Sequence, residues 1–218
     1  MHVFIIGITG GVGSLLAQQL LARGDTVAGL VRKPAQRDTL AAAGVTAEVG
    51  DITAISPVEL AGMMGTADAV IFTAGAGGSQ DATTAIDGEG VVKAIAASHL
   101  AATPPRFLLV SVFPEAWRER NLGQGFDHYI YVKKTADIAL SQSGLDWVIL
   151  RPSVLLNEPG RGTVALGPAE IHGEIPRADV AATLIELLHE PRITQQILEV
   201  TGADTPIERA VSEVIRTR

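Results

Sequence analysis

The chain of 218 residues contains no cysteine and few aromatic residues, and both shortages narrow what it can do. The lack of cysteine excludes disulfide scaffolds, cysteine-ligated metal sites and cysteine nucleophiles together. Aromatic residues make up only 4% of the chain, so alanine, valine, isoleucine and leucine must fill the core. The hydrophobic share of 47% is enough for a sizeable core and too much for a disordered chain.

An excess of positive charge and long hydrophobic runs are also missing. The 17 basic and 24 acidic residues give a formal net charge of −7, a poor electrostatic match for nucleic acid or anionic lipid. No apolar run approaches the roughly 18 residues that a membrane-spanning helix needs. The apolar start, residues 1–6, lacks the basic stretch of a secretory signal. We therefore expect a cytoplasmic protein with neither nucleic acid nor membrane as a partner.

Short apolar runs alternate with longer segments of helical period. The runs predict strands over 2–6, 26–31, 45–49, 67–73, 106–111, 146–150 and 197–201. The helical segments cover 12–22, 34–43, a short stretch from 57, 81–99, 127–143, 176–190 and 207–218. This alternation is typical of a parallel sheet with helices on both faces. We predict an α/β fold, a doubly wound parallel sheet of Rossmann type, in a single domain over 1–218.

Two helix ends carry specific signals. Gly24 follows the first helix at a position suited to a left-handed residue. Ser56, with Glu59 three residues later, predicts a capping box that opens the third helix.

A glycine loop lies between the first strand and the first helix. Its glycines stand at positions 7, 10 and 13, where a tight turn brings bare backbone N–H groups and a helix N-terminus onto a pyrophosphate. Gly13 would let the helix pack closely on the strand. We favour a nucleotide site over a purely structural turn because the loop lies in the first βα unit. The residues assigned to it are Gly7, Thr9, Gly10, Gly11, Val12 and Gly13.

The end of the second strand indicates which ribose the site accepts. Sites that prefer NAD place an acidic residue there, whereas an arginine accommodates the 2′-phosphate of NADP. This strand ends with Arg32 and Lys33, and no carboxylate precedes Asp38. The two cations are either phosphate ligands or ordinary surface residues, and the lack of an acid favours NADP.

Tyr129 and Lys133 stand one helical turn apart and share a helix face. A lysine ammonium beneath a tyrosine hydroxyl lowers the pKa of the phenol from about 10, so that it exchanges protons near neutral pH. The same spacing is common on ordinary amphipathic helices. The glycine loop ahead of the pair favours the catalytic interpretation.

Further motifs follow in a recognisable order. They are Gly50-Asp51-Ile52, Thr73-Ala74-Gly75, Ser111, the segment 144–152 and the segment 177–181. With the glycine loop, Arg32 and the tyrosine–lysine pair, they resemble the short-chain dehydrogenase/reductase superfamily. The narrower resemblance is to its atypical NAD(P)H-binding branch, which includes flavin/biliverdin reductase-like and NmrA-like proteins.

The resemblance implies which residues surround the cofactor. The adenine would be bordered by Asp51 and Ile52. The loop after the fourth strand would line the cofactor with Ala74, Gly75 and Ala76. Pro152 and Ser153 would lie near the nicotinamide carboxamide.

The resemblance also implies the catalytic residues. Tyr129 and Lys133 would hold the nicotinamide ribose, Tyr129 would pass the proton, and Ser111 would orient a substrate carbonyl. Many relatives carry a second serine where this chain has Val112, so the hydroxyl that faces the substrate is left open.

Two segments occupy positions where a substrate would bind, 113–127 and 155–175. Trp117 in the first segment either stacks on a flat substrate ring or anchors the loop. Neither segment identifies a substrate. The five histidines are too dispersed to suggest a local metal site, and we expect none.

We interpret the chain as an NADP(H)-dependent oxidoreductase. Hydride would pass between the nicotinamide and a small carbonyl, quinone or flavin-like acceptor, in a monomer or homodimer that binds a small-molecule substrate. Transfer to a flavin or a linear tetrapyrrole would need little help from Tyr129. The alternative is an NmrA-like redox-sensing regulator, because a cofactor site serves both uses. A nucleotide-sugar epimerase is disfavoured, since such relatives usually carry a larger C-terminal region.

Overall fold

The computed structural model describes residues 1–116 and 120–216, and strands alternate with helices through most of that range. The strands are β1 (His2–Ile6), β2 (Thr26–Val31), β3 (Thr46–Val49), β4 (Ala69–Phe72), β5 (Arg106–Val110), β6 (Trp147–Pro152), β7 (Val154–Leu156), β8 (Thr163–Gly167), β9 (Glu174–Pro176) and β10 (Gln196–Pro206). The α-helices are α1 (Gly11–Arg23), α2 (Pro34–Ala42), α3 (Pro57–Met64), α4 (Gln80–Thr83), α5 (Gly90–Leu100), α6 (Gln124–Ser141), α7 (Arg177–His189) and α8 (Ile207–Glu213).

Eight strands of the described residues form one sheet in the order β3-β2-β1-β4-β5-β6-β10-β8. All neighbours in it are parallel except β10 and β8, which run antiparallel. The predicted doubly wound α/β fold is therefore confirmed. The chain moves outward from β1 to β3 and then returns to β4 on the other side of β1, which makes a switch point between β1 and β4.

Two apolar cores cover the two faces of this sheet. Alternate residues of β1 point to opposite sides, so that Ile5 joins one core and Phe4 joins the other. The first core includes Leu16 of α1 and Leu184 of α7, and the second includes Leu60 of α3. Because both faces are buried, these strands consist of almost continuous apolar runs.

The segment 155–175 has more regular structure than the sequence indicates. It contains β8, which extends the main sheet, and most of β7 and β9, which pair as a separate two-stranded sheet. These strands are only three to five residues long, and the intervening glycines and prolines obscure their apolar pattern. The apolar runs of the sequence predict no strand within this segment, so β7, β8 and β9 are additions that the structure makes to the predicted elements.

The predicted helix over 81–99 is interrupted rather than uniform. Residues Thr84–Glu89 between α4 and α5 are wound as a π-helix, which places Asp87 in the protein interior. Single π turns within α-helices are frequently found at functional sites.

No helix among the described residues is long and apolar enough to cross a membrane.

Candidate functional site

A cavity of about 440 Å³ lies at the carboxyl ends of β1 to β5, at the switch point of the sheet. Open α/β sheets bind their ligands at this position. The predicted residues that line it are Gly7, Thr9, Gly10, Gly11, Val12, Arg32, Asp51, Ile52, Ala74, Gly75, Ala76, Ser111, Tyr129 and Lys133. The fold thus brings together residues from six separate parts of the sequence.

The glycine loop packs so tightly that side chains are excluded at two positions. Gly7 has a φ of +95°, and a β-carbon there would lie 2.4 Å from the backbone nitrogen of Ala74. A β-carbon on Gly13 would lie 2.2 Å from the carbonyl oxygen of Gly7 and 2.8 Å from Thr73 Oγ1. Gly13 is not among the described lining residues; it lets α1 begin directly against the loop.

The start of α1 is left without a cap. Gly10 occupies the N-cap position, has no side chain to accept a hydrogen bond, and no acidic residue stands in the first turn. The first N–H groups of a helix have no partner within the helix, and together with the helix dipole they attract an anion. The residues present therefore fit the pyrophosphate of a dinucleotide.

The β2–β3 side of the cavity carries one cation and one carboxylate. Arg32 lines the cavity and pairs with no carboxylate of the described residues. Asp51 Oδ1 accepts hydrogen bonds from the backbone nitrogen and the hydroxyl of Thr53, at 2.9 and 2.7 Å. These bonds hold the pKa of Asp51 below its usual range. Lys33 is the N-cap residue of α2 and lies outside the described lining.

A buried ion pair stands beside the predicted catalytic tyrosine. Lys133 and Asp87 are 3% and 2% exposed, and Lys133 Nζ lies 3.6 Å from Asp87 Oδ1. Lys133 Nζ also donates to the carbonyl oxygen of Val110 at 2.9 Å. Asp87 Oδ2 accepts from the backbone nitrogen of Ala76 at 2.9 Å, which ties the loop after β4 to the pair. Burial lowers the pKa of Lys133, and the nearby carboxylates oppose that effect.

A second ion pair, between the buried Asp137 and the partly buried Arg151, lies one turn further along α6. Asp137 Oδ2 accepts from both Nε and Nη2 of Arg151, at 3.0 and 2.8 Å. Asp137 Oδ1 and the Ser111 hydroxyl are buried without a well-formed hydrogen bond within the described structure. Burial raises the pKa of Asp137, although the Ser111 hydroxyl and Arg151 act against the rise.

The pKa of Tyr129 differs from the sequence-based expectation. Burial, and then the carboxylates of Asp87 and Asp137, raise the pKa of the phenol to about 12. The expected lowering by Lys133 is wrong for this structure, because the Lys133 ammonium is engaged by Asp87 and the Val110 carbonyl. The phenol is therefore protonated throughout the physiological pH range.

Two more predicted cofactor residues, besides Gly13 and Lys33, are missing from the described lining of the cavity. These are Pro152 and Ser153. Ser153 is buried, and its hydroxyl donates to Thr201 Oγ1 at 2.9 Å, which joins the end of β6 to β10.

The two predicted substrate-side segments meet near the site. Phe113 packs edge-on against the ring of His172 with a centroid distance of 5.0 Å. Leu155 of the second segment lines the cavity. Trp117, for which a stacking role was considered, lies outside the described residues. Among the residues that the structure describes, no group of three or more histidine, aspartate or glutamate side chains is arranged to hold a metal ion.

Sequence reasoning missed four charged residues at or next to the cavity, Asp87, Asp137, Arg151 and Arg177. Asp137 had a usable signal, because it follows Lys133 by the same four-residue step that separates Lys133 from Tyr129. Arg151 and Arg177 stand in motifs that carried the family resemblance but received no role. Asp87 had no signal, since its inward position depends on the π-helical winding.

Comparisons with known proteins agree with this geometry. Residues 7–191 match a family model described as NAD(P)H-binding. The uncharacterized sugar epimerase YhfK of Bacillus subtilis strain 168 is 38% identical over 217 residues, which cover 98% of this chain and 100% of that protein.

Two solved structures extend the comparison. A Bacillus halodurans protein that carries the name NAD-dependent epimerase/dehydratase superimposes with a TM-score of 0.89 at 30% identity, covering 98% of this chain and 100% of that one. The anaerobillin reductase ChuY of Escherichia coli O157:H7 gives 0.80 at 26% identity, covering 94% and 98%.

The chain belongs to the NAD(P)H-binding family. The predicted resemblance to the atypical NAD(P)H-binding branch is thereby confirmed. The family and the reductase among the structural neighbours support a nicotinamide cofactor and an NAD(P)H-dependent oxidoreductase.

Proposed function

We propose that the protein is an NADP(H)-dependent reductase of the short-chain type, acting on a small carbonyl, quinone or flavin-like acceptor. The observation that carries the proposal is the continuity of one cavity, which joins the uncapped start of α1 to Tyr129 and Lys133. A pyrophosphate site and a half-buried proton donor at opposite ends of one space match the shape of a dinucleotide with its reactive ring beside the donor.

The preference for NADP rests on the β2 end of the cavity. No acidic residue stands at the end of β2 to bind a ribose 2′-hydroxyl. Arg32 lines the cavity near Asp51, whose carboxylate already accepts two hydrogen bonds from Thr53. Since Arg32 makes no close ion pair with a described carboxylate, its guanidinium can bind a 2′-phosphate.

Three side chains have separate roles at the other end. A bound nicotinamide supplies the hydride chemistry. The Tyr129 phenol, kept protonated by its pKa of about 12, donates a proton to the reduced acceptor. The Ser111 hydroxyl, which lies beside Asp137 in the lining of the cavity, orients the acceptor oxygen. Lys133, anchored by Val110, holds the ribose side of the site.

The acceptor class is broad because the described lining residues contribute few polar groups beyond those already named. One structural neighbour is an anaerobillin reductase. Candidate substrates to be screened for turnover are therefore anaerobillin, quinones, flavins and simple carbonyls. Turnover of none of these, together with selective binding of one redox form of the cofactor, would favour the regulator alternative.

Calorimetric titration with NADPH, NADH, NADP⁺ and NAD⁺ tests the proposal. We expect tighter binding of the two phosphorylated forms, and we expect Arg32→Glu to remove that preference by placing a carboxylate where the 2′-phosphate would bind. Arg37→Glu is the matched control, because Arg37 carries the same charge on α2 in an exposed pair with Asp38. Binding of none of the four nucleotides by the unaltered protein would refute the proposal.

A further inference from the structure

Arg177, the first residue of α7, lies directly against the glycine loop. Its side chain lines the cavity, and Cδ and Nε stand 2.8 and 2.9 Å from the position that a β-carbon on Gly11 would occupy. The guanidinium group thus lies beside the uncapped start of α1, although the two residues are far apart in the sequence. The absence of a side chain at Gly11 makes this approach possible.

The charge of Arg177 has no acidic partner among the described residues. Seven other arginines of the described part lie within 3.8 Å of a carboxylate oxygen. The lining of the cavity contains two arginines, Arg32 and Arg177, and neither is paired in this way. In a chain with an excess of acidic residues, two unpaired arginines in one cavity indicate that the cavity receives an anion.

The hydrogen bonds of Arg177 occupy only one part of its guanidinium. Nη1 donates to the carbonyl oxygen of Leu155 at 3.1 Å and to Asn157 Oδ1 at 2.7 Å. Nε and Nη2 donate to no described residue. A side chain that served only to tie segment 155–157 to α7 would not need an unpaired charge, since a neutral donor would make the same two bonds.

We propose that Arg177 is a second anion-binding group, which binds the diphosphate of the cofactor together with the N–H groups of the glycine loop. This inference rests on the proposed function. Nη1 remains bonded to Leu155 and Asn157, while Nε and Nη2 form the planar pair of donors that suits phosphate oxygens. The same contact links cofactor binding to the substrate-side segment, because Leu155 lines the cavity and is held by Arg177.

The test compares Arg177→Met with the unaltered protein by calorimetry, using NADPH, NADH and ADP-ribose as ligands. Methionine keeps most of the side-chain length and removes the charge. All three ligands contain the diphosphate, so we expect each to bind more weakly by a similar factor of roughly tenfold or more. Arg32→Glu should instead weaken NADPH selectively. We also expect the salt dependence of ADP-ribose binding to become shallower in Arg177→Met.

Asn157→Ala is the matched control, since it removes one acceptor of Nη1 and leaves the charge in place. We expect it to retain nearly full affinity for ADP-ribose. Arg177→Lys keeps the charge but loses the planar pair of donors, so it should lose an intermediate amount of affinity for ADP-ribose. This variant replaces Arg177→Met in the test if the methionine variant does not fold.

Three results would overturn the inference. One is unchanged binding of ADP-ribose to Arg177→Met, and another is a loss restricted to NADPH. The third is an equal loss of ADP-ribose affinity in Asn157→Ala, which would mean that Arg177 only holds segment 155–157 in place. Failure of the unaltered protein to bind any of the three ligands would instead refute the proposed function itself.

Discussion

The two ends of the cavity are built from different materials. The end at α1 is made of backbone: a loop with glycines at 7, 10 and 13, and a helix start without a cap. The end at α6 is made of buried charged side chains, with Lys133 beside Asp87 and Arg151 bonded twice to Asp137. The first end offers N–H donors, and the second offers a proton and a fixed electrostatic environment.

The two ends of the cavity therefore place different energetic demands on the fold. Backbone donors at a helix start carry no net charge to desolvate, and their requirement is steric, namely the absence of side chains. Buried charges lose their hydration and persist only when each has a partner. The charged end must therefore be assembled as a balanced set, and changes at the two ends should have different consequences.

The largest effect is expected from Tyr129→Phe, which should separate chemistry from binding. Loss of the phenol removes the proton donor and should lower turnover by roughly 10²- to 10⁴-fold. Affinity for NADPH should stay nearly unchanged, because the glycine loop is untouched. Steady-state kinetics and calorimetry on the same preparation measure both quantities.

Unchanged turnover in this variant would remove Tyr129 from the mechanism and favour direct transfer to a flavin-like acceptor. A spectrophotometric titration of the protein without cofactor supplies an independent check. The phenol whose signal disappears in Tyr129→Phe should ionise near pH 12, above the ordinary value of 10, because burial and two carboxylates disfavour the phenolate.

Asp137→Ala should cause the largest loss of stability. Arg151, whose side chain is only partly exposed, would lose the carboxylate that accepts two of its hydrogen bonds, which costs up to about 3–5 kcal/mol. Urea denaturation measures the change in the free energy of unfolding. Asp38→Ala, which breaks the exposed pair with Arg37, should cost below about 1 kcal/mol. Equal losses in the two variants would contradict the distinction between a balanced buried set and surface pairs.

Gly7→Ala should damage the backbone end in both stability and binding. The new β-carbon would clash with the backbone of Ala74, and residue 7 would have to keep a left-handed conformation. We therefore expect the free energy of unfolding to fall by about 2–4 kcal/mol, and we expect no measurable cofactor binding. Gly24→Ala isolates the conformational part, because Gly24 has a φ of +97° and open space around its Cα. It should cost about 1–2 kcal/mol and leave binding intact. Retention of NADPH binding by Gly7→Ala would show that the loop need not be bare.

Sequence reasoning succeeded where the physical requirement is local. The strands β1 and β2 were predicted with their observed bounds, because continuous apolar runs between turn residues specify buried strands. Gly24 ends α1 in the left-handed conformation, and Ser56 and Glu59 form the expected capping box at α3. The glycine loop belongs to the same class, since its spacing alone describes a tight turn.

Sequence reasoning failed where the site depends on residues that converge from distant parts of the chain. Asp87, Asp137 and Arg151 come from the π-helical stretch, from α6 and from β6, and no spacing in the sequence reveals that they converge. The direction of the Tyr129 pKa shift depends on that convergence, because the Lys133 ammonium interacts with Asp87 and the Val110 carbonyl, which are distant from it in the chain. The short strands β7, β8 and β9 were missed because they owe their pairing to tertiary contacts rather than to length or pattern.

The π-helical stretch at Thr84–Glu89 makes the cavity sensitive to residue number as well as residue type. A π turn holds one residue more than an α turn, so it shifts the angular phase of everything that precedes it in the helix. Deleting one residue between Asp87 and the start of α5 would restore a regular helix and rotate Asp87 by about 100° relative to α5, away from Lys133. Homologous chains that share all the residue types but differ by one position in this stretch would therefore have a different buried charge arrangement. Aligning such chains without a gap at the correct residue would conceal the difference.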